Sequence, residues 1–182
     1  MKSLHGVVLL LAAFLALGAC GITAPNRGPG YADMDLPRSG LTRDTSLSIG
    51  PRVLGFAARH ANEGPETRAM LEALEGVRVR VYRVDDDAQL SRLHEQVTLN
   101  ADRLQERAWQ PVLRVVETDL VLHMLVLQDN EELLGLALVS LDREELVFIN
   151  VMGRLSPDIL RELSTAAALT AVDEAAAASG DS

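Results

Sequence analysis

Few side chains in this sequence combine the type and spacing that chemistry needs. Cys20 is the one thiol, and it closes the run Leu17-Gly18-Ala19-Cys20 after an apolar stretch that begins near Gly6. No Gly-x-Ser-x-Gly elbow is present, so an α/β-hydrolase nucleophile is not indicated. Ser140 ends an apolar strand pattern with no local base. The histidines are scattered: His60 near a helix end, where a cation suits the dipole, His94 on a long helix and His123 within a strand. None has a second His, Cys or carboxylate at a ligating interval. Asp85-Asp86-Asp87 is the sharpest acidic cluster. A calcium loop needs ligands at alternating positions, a glycine and a distal glutamate, whereas carboxylates ahead of a helical pattern cap its free donors. Glu117 and Asp119 have the chemistry of an acid/base pair, yet at a hairpin tip they read as exposed turn residues. The expectation is no catalytic residue, no cofactor and no metal.

Cys20 is different. A basic start (Lys2), an apolar segment to Leu17 and small residues before the cysteine make residues 1–19 read as a secretory signal peptide. A membrane-spanning helix needs roughly 20 apolar residues, more than this run supplies. An ordinary cleaved signal would leave an odd thiol in an oxidising compartment. Leu-Gly-Ala-Cys resembles a bacterial lipobox. That resemblance implies a lipoprotein cut before Cys20, with diacylglycerol on its sulfur and an acyl chain such as palmitate on its amine. By the same resemblance Gly21, not being aspartate, implies the outer membrane, facing the periplasm.

Composition narrows the partners. The formal net charge is −9 over 182 residues, and cleavage before Cys20 would remove Lys2 and deepen it by one. An acidic chain is a poor match for nucleic acid or for charge-driven adhesion to anionic lipid, so the membrane is expected to be reached through the N-terminal lipid. Every cation other than Lys2 and the histidines is arginine, interspersed with Asp and Glu as on solvated faces. With one Trp, two Tyr and three Phe, the core must be aliphatic.

The elements that could position anything follow from periodicity. Residues 20–44, rich in Gly, Pro, Asn and Asp, read as a lipidated N-terminus and flexible tether spanning about 25 Å root-mean-square. Residues 45–166 read as one α+β domain, and 167–182 as an Ala-rich acidic tail. Within the domain, Leu47 and Ile49 alternate as a strand, and Pro51 starts a helix to about Ala61. Glu66 to Glu75 is a second helix, with Gly76 as its C-cap. Val77, Val79 and Val81 alternate as a half-buried strand. Leu90, Leu93, Val97, Ala101, Leu104 and Ala108 form the stripe of a long helix that Trp109 and Pro111 end. Val112–Glu117, Leu120–Gln128, Glu132–Leu141 and Glu145–Val151 form a four-strand antiparallel meander joined by short polar turns. Gly153 reads as a turn glycine ahead of a helix capped by Ser156-Pro157. The fold class is α+β, a largely antiparallel sheet with helices packed on it.

Leu146-Val147-Phe148-Ile149-Asn150-Val151, Gly153, Leu155, Ser156-Pro157, Ile159, Leu160 and Leu163 resemble domain-of-unknown-function family 4252, a group of bacterial envelope lipoproteins. Trp109 and Leu134-Gly135-Leu136-Ala137-Leu138-Val139 join them. The resemblance, over roughly Ser46 to Ser164, implies architecture and location; it brings no catalytic residues. One feature points to function. Leu120, Leu122, Met124 and Val126 alternate with Val121, Leu125 and Leu127, so this strand is apolar on both faces, as is Leu133–Leu141. An uncovered apolar face marks a contact surface; helices on both sides, or the N-terminal segment, would instead cover it. The expected function is a non-enzymatic, lipid-anchored envelope protein that binds a protein partner or itself through the sheet. The alternatives are an enzyme whose site assembles from distant residues and a carrier of an apolar ligand.

Overall fold

The computed structural model describes residues 21–37, 39–60, 64–85, 89–130 and 132–155. The signal peptide expected over residues 1–19, Cys20 and the helix expected from Ser156 lie outside the described residues. The element order is β1 (Leu41–Ile49), α1 (Pro51–His60), α2 (Pro65–Ala73), β2 (Leu74–Val84), α3 (Leu90–Glu106), β3 (Trp109–Val116), β4 (Val121–Asp129), β5 (Glu132–Leu141) and β6 (Glu145–Leu155). The strands form one six-stranded sheet in the order β1-β2-β6-β5-β4-β3, every neighbouring pair antiparallel. The α+β class and the C-terminal meander are as the sequence predicts. β2 supplies the long-range link, pairing β6 at the end of the meander with β1.

Alternation sends the side chains of each strand to two faces. On the first face, Val121 and Leu125 of β4, Ala137, Val139 and Leu141 of β5, and Leu146 and Phe148 of β6 pack against Leu93, Val97, Ala101 and Leu104 of α3. Those four are the buried members of the six-residue predicted stripe, and burying each Leu or Val side chain contributes about 1.5–3 kcal/mol before entropy. On the second face, Met124, Val126, Leu133, Leu136 and Leu155 make a smaller cluster joined by Leu74, Leu138 and Val151. α1 and α2 pack on each other and touch the β2–β6 region.

Several boundaries differ from expectation, each for a local reason. α2 ends at Ala73 and its C-cap Leu74 is already extended, so Gly76 is not a helix cap but a strand residue pressed on Ala24 and Pro25. Ala108 is not part of the long helix. It lies past the end of α3 with φ 67°, donates to the Gln105 carbonyl and is exposed. Trp109 and Pro111 do not terminate a helix through a loop; they are the first residues of β3. Gly153 does hold a positive φ, 142°, but inside β6, where the β2 pairing shifts register between Leu74 and Gly76.

The largest difference lies in residues 21–37. Composition makes this stretch a spacer, yet Ala24, Gly30, Ala32 and Met34 are buried, and Ala32 and Met34 belong to the main core cluster. Asn150, fully buried in β6, accepts from Ala32 N at 3.1 Å. It donates to Gly30 O at 2.9 Å and Leu136 O at 3.1 Å. Asn100 of α3 grips Asp35 in the same way, accepting from its N and donating to its O, each at 2.9 Å. Gly30 and Gly135 meet backbone to backbone, and a Cβ on either would overlap the other strand. The first face is therefore covered jointly by α3 and this strap, and the ordered domain begins before Thr45.

Candidate functional site

Among the described residues, the side chains capable of chemistry do not converge. His60 stacks on the Phe56 ring at the end of α1, centroids 4.1 Å apart, with Nδ1 2.9 Å from the Phe56 carbonyl. This is the helix-terminal position expected of it. His123 is buried at 3 % exposure on the α3 side of β4. Burial pushes its pKa below the ordinary 6.5, the cross-strand Arg114 lowers it further, and Asp102 opposes weakly. His94 is half-buried on α3. No cluster of three or more His, Cys, Asp or Glu forms among the described residues.

Asp119 is held by Arg143 across the turns at 2.8 Å, and Glu117 is exposed beside it, as turn residues should be. Asp85 does not cap α3, whose N-cap is Gln89. It accepts instead from the Thr42 hydroxyl at 3.1 Å, and Asp86 and Asp87 lie outside the described residues. Ser140 is half-buried on the second face.

What the fold does build is an uneven distribution of apolar surface. The centre of the second face is closed: Met124, Val126 and Leu136 are each 5–7 % exposed. Around it Val77, Val79 and Val81 of β2 and Val147, Ile149 and Val151 of β6 are half-buried. The outer strand β3 is open on both sides: Leu113, 42 % exposed, pairs with Met124 of the second face, Val116, 55 % exposed, pairs with Val121 of the first, and Val112 at the bulge is 53 % exposed. The two sheet edges differ in composition. β1 presents Thr42, Arg43, Asp44, Thr45, Ser46 and Ser48 to solvent together with one large apolar side chain, Leu47 at 47 %, with a bulge at Arg43/Thr45 and an Asp44–Arg83 ion pair. Charge and bulging protect an edge from pairing with another chain. β3 carries Pro111 and a bulge before Leu113, which interrupt its ladder, yet its exposed side chains remain mostly apolar.

Alternation alone puts the contact surface in β4 and β5, both of which are inner strands. It overlooks β3 because period 2 cannot tell which strand lies at an edge; only the pairing order does. Composition overlooks the strap because Gly, Pro and Asp mark irregular backbone without saying whether that backbone is packed. A signal was present in Asn150: an amide within an apolar strand demands partners, and the neighbouring strands alone do not supply them.

A family model described as Domain of unknown function (DUF4252) matches residues 40–163. No curated protein and no solved structure matches the chain.

Proposed function

This chain belongs to the domain-of-unknown-function family DUF4252, and from that premise we propose that it is a lipid-anchored envelope protein that works as a protein-interaction module. Cys20 carries the acyl chains, residues 1–19 are removed, and the protein sits on the outer membrane facing the periplasm. The partner, a second protein or a second copy of this chain, docks along β3 and the adjoining second face of the sheet.

The observation that supports this reading is the open apolar edge, Val112, Leu113 and Val116. Exposed apolar side chains grouped on one strand lose contact with water when a partner covers them, and an edge strand also offers unpaired backbone groups for recognition. Photo-crosslinking residues placed singly at Val112 and Val116, with Ser48 on the polar β1 edge as the control, test it in intact cells. The expected outcome is a discrete adduct from both β3 positions, at twice the protein's mass if the partner is a second copy, and none from position 48. Absence of β3 adducts above the control would overturn the proposed surface.

A further inference from the structure

The described chain starts in a corner that is basic and apolar at once. Gly21 O accepts from Arg52 N at 3.0 Å, and Ile22 O from Gly50 N at 2.7 Å. The residue that follows Cys20 is therefore fastened to the first turn of α1. That helix, Pro51-Arg-Val-Leu-Gly-Phe-Ala-Ala-Arg-His60, has no Asp or Glu, in a chain whose formal net charge is −9. It buries Leu54 and Ala58. Outward it exposes Phe56 at 57 % and Val53 at 41 %, with Ile22 exposed at 49 %. Arg52, Phe56 and Arg59 follow at spacings of four and three, and Val53 lies three before Phe56, so these side chains share one side of the helix. Gly21 also lines a groove that carries Arg78 and Arg80.

We propose that α1, together with Ile22, is a docking face for an anionic lipid surface. Phe56, Val53 and Ile22 enter the boundary between headgroups and acyl chains, and Arg59 lies against lipid phosphates. Aromatic and aliphatic side chains flanked by arginine are the composition of a helix that lies in the plane of an interface. Arginine near an anionic leaflet is attracted within about one Debye length of the surface. Lipid is the occupant because of place and charge: an acyl anchor on Cys20 brings the bilayer within one residue of Gly21, and α1 has cations without carboxylates. This rests on the reading of Cys20 only for that placement. An N-terminal anchor alone leaves a domain free to turn; a second contact beside it fixes the orientation and leaves β3 pointing to whatever it binds.

The test uses the full-length, processed protein in vesicles of phosphatidylcholine and phosphatidylglycerol with brominated acyl chains, which quench only tryptophans at the membrane. Native Trp109 is buried and supplies a constant background. Phe56→Trp, and Val53→Trp as an independent reporter, should shift to shorter emission wavelength and lose most of the added emission, while Val112→Trp should not. Arg59→Gln combined with Phe56→Trp should reduce the quenching, as should replacing phosphatidylglycerol by phosphatidylcholine alone. Flotation with the vesicles and the mass of the N-terminal peptide read the anchor separately. A floating, acylated protein whose Phe56→Trp and Val53→Trp variants both stay unquenched overturns the docking face and leaves the anchor standing; that is also the result expected if the patch serves a protein partner. Quenching without acylation supports the docking face and contradicts the anchor, and neither quenching nor flotation overturns both.

Discussion

An amide inside an apolar strand has to find partners, and Asn150 finds three, two of them on the strap at Gly30 and Ala32. Asn150→Leu would keep the strand pattern and leave the Ala32 N–H and Gly30 carbonyl buried without partners. Each such group costs about 1–3 kcal/mol, so a loss of roughly 2–6 kcal/mol is expected, with faster hydrogen exchange concentrated in residues 28–36. Unchanged exchange there would mean that the strap is held by packing alone. His123 gives a second expectation. Its pKa is depressed in the folded protein, so the unfolded chain takes up the proton first as pH falls. The stability contributed by the neutral ring is complete above the ordinary value of 6.5 and is lost as pH drops through the folded value. A melting curve series should therefore slope downward as pH falls from 6.5 toward the depressed folded value, and His123→Leu should flatten it. An identical slope in the variant would assign the effect to other groups.

Gly153 shows how far a local rule reaches at the level of elements. The need for a positive φ was legible from a lone glycine after a strand of apolar residues; its setting inside β6, against Ala73 and Leu74, was not. A Cβ there would press on the Ala73 carbonyl and the backbone of Leu74, besides straining the φ. Gly153→Val should cost about 1 kcal/mol or more and lower the melting temperature; an unchanged midpoint would refute the constraint. The α3 stripe, the alternation of β2 and the meander were also readable, because periods of 3.6 and 2 are properties of single elements. Pairing order and coverage are not. Nothing within β3 or β4 says which is outermost, and nothing within Arg78 and Arg80 says that the strap will lie over them. Arg78 in fact donates to Ala24 O at 2.9 Å and stacks over Tyr31, 5.1 Å from the ring centre. The alternating Val/Arg pattern of β2 suggests a wet arginine face; the strap half-buries it.

At the scale of the whole molecule, the strap changes what an N-terminal anchor does. A free spacer would let the domain drift about 25 Å from its attachment. Gly21 and Ile22 are bonded to the start of α1, and Ala24 N donates to Ser48 at 3.1 Å, so residues 21–24 are packed on the domain. Under the proposed reading, a lipid on Cys20 would hold the domain close against the bilayer, its α1 corner down and its β3 edge open to a partner. Long acyl chains contribute about 0.8 kcal/mol per buried methylene, so two or more hold it there far longer than one. The proposed envelope role stands on Cys20. The most direct measurement is the mass of the N-terminal peptide released from protein extracted from membranes. A peptide that begins at Cys20 and carries the diacylglycerol and amide-linked acyl masses is the predicted result. A peptide with unmodified Cys20, or one that still contains Ala19, would contradict it.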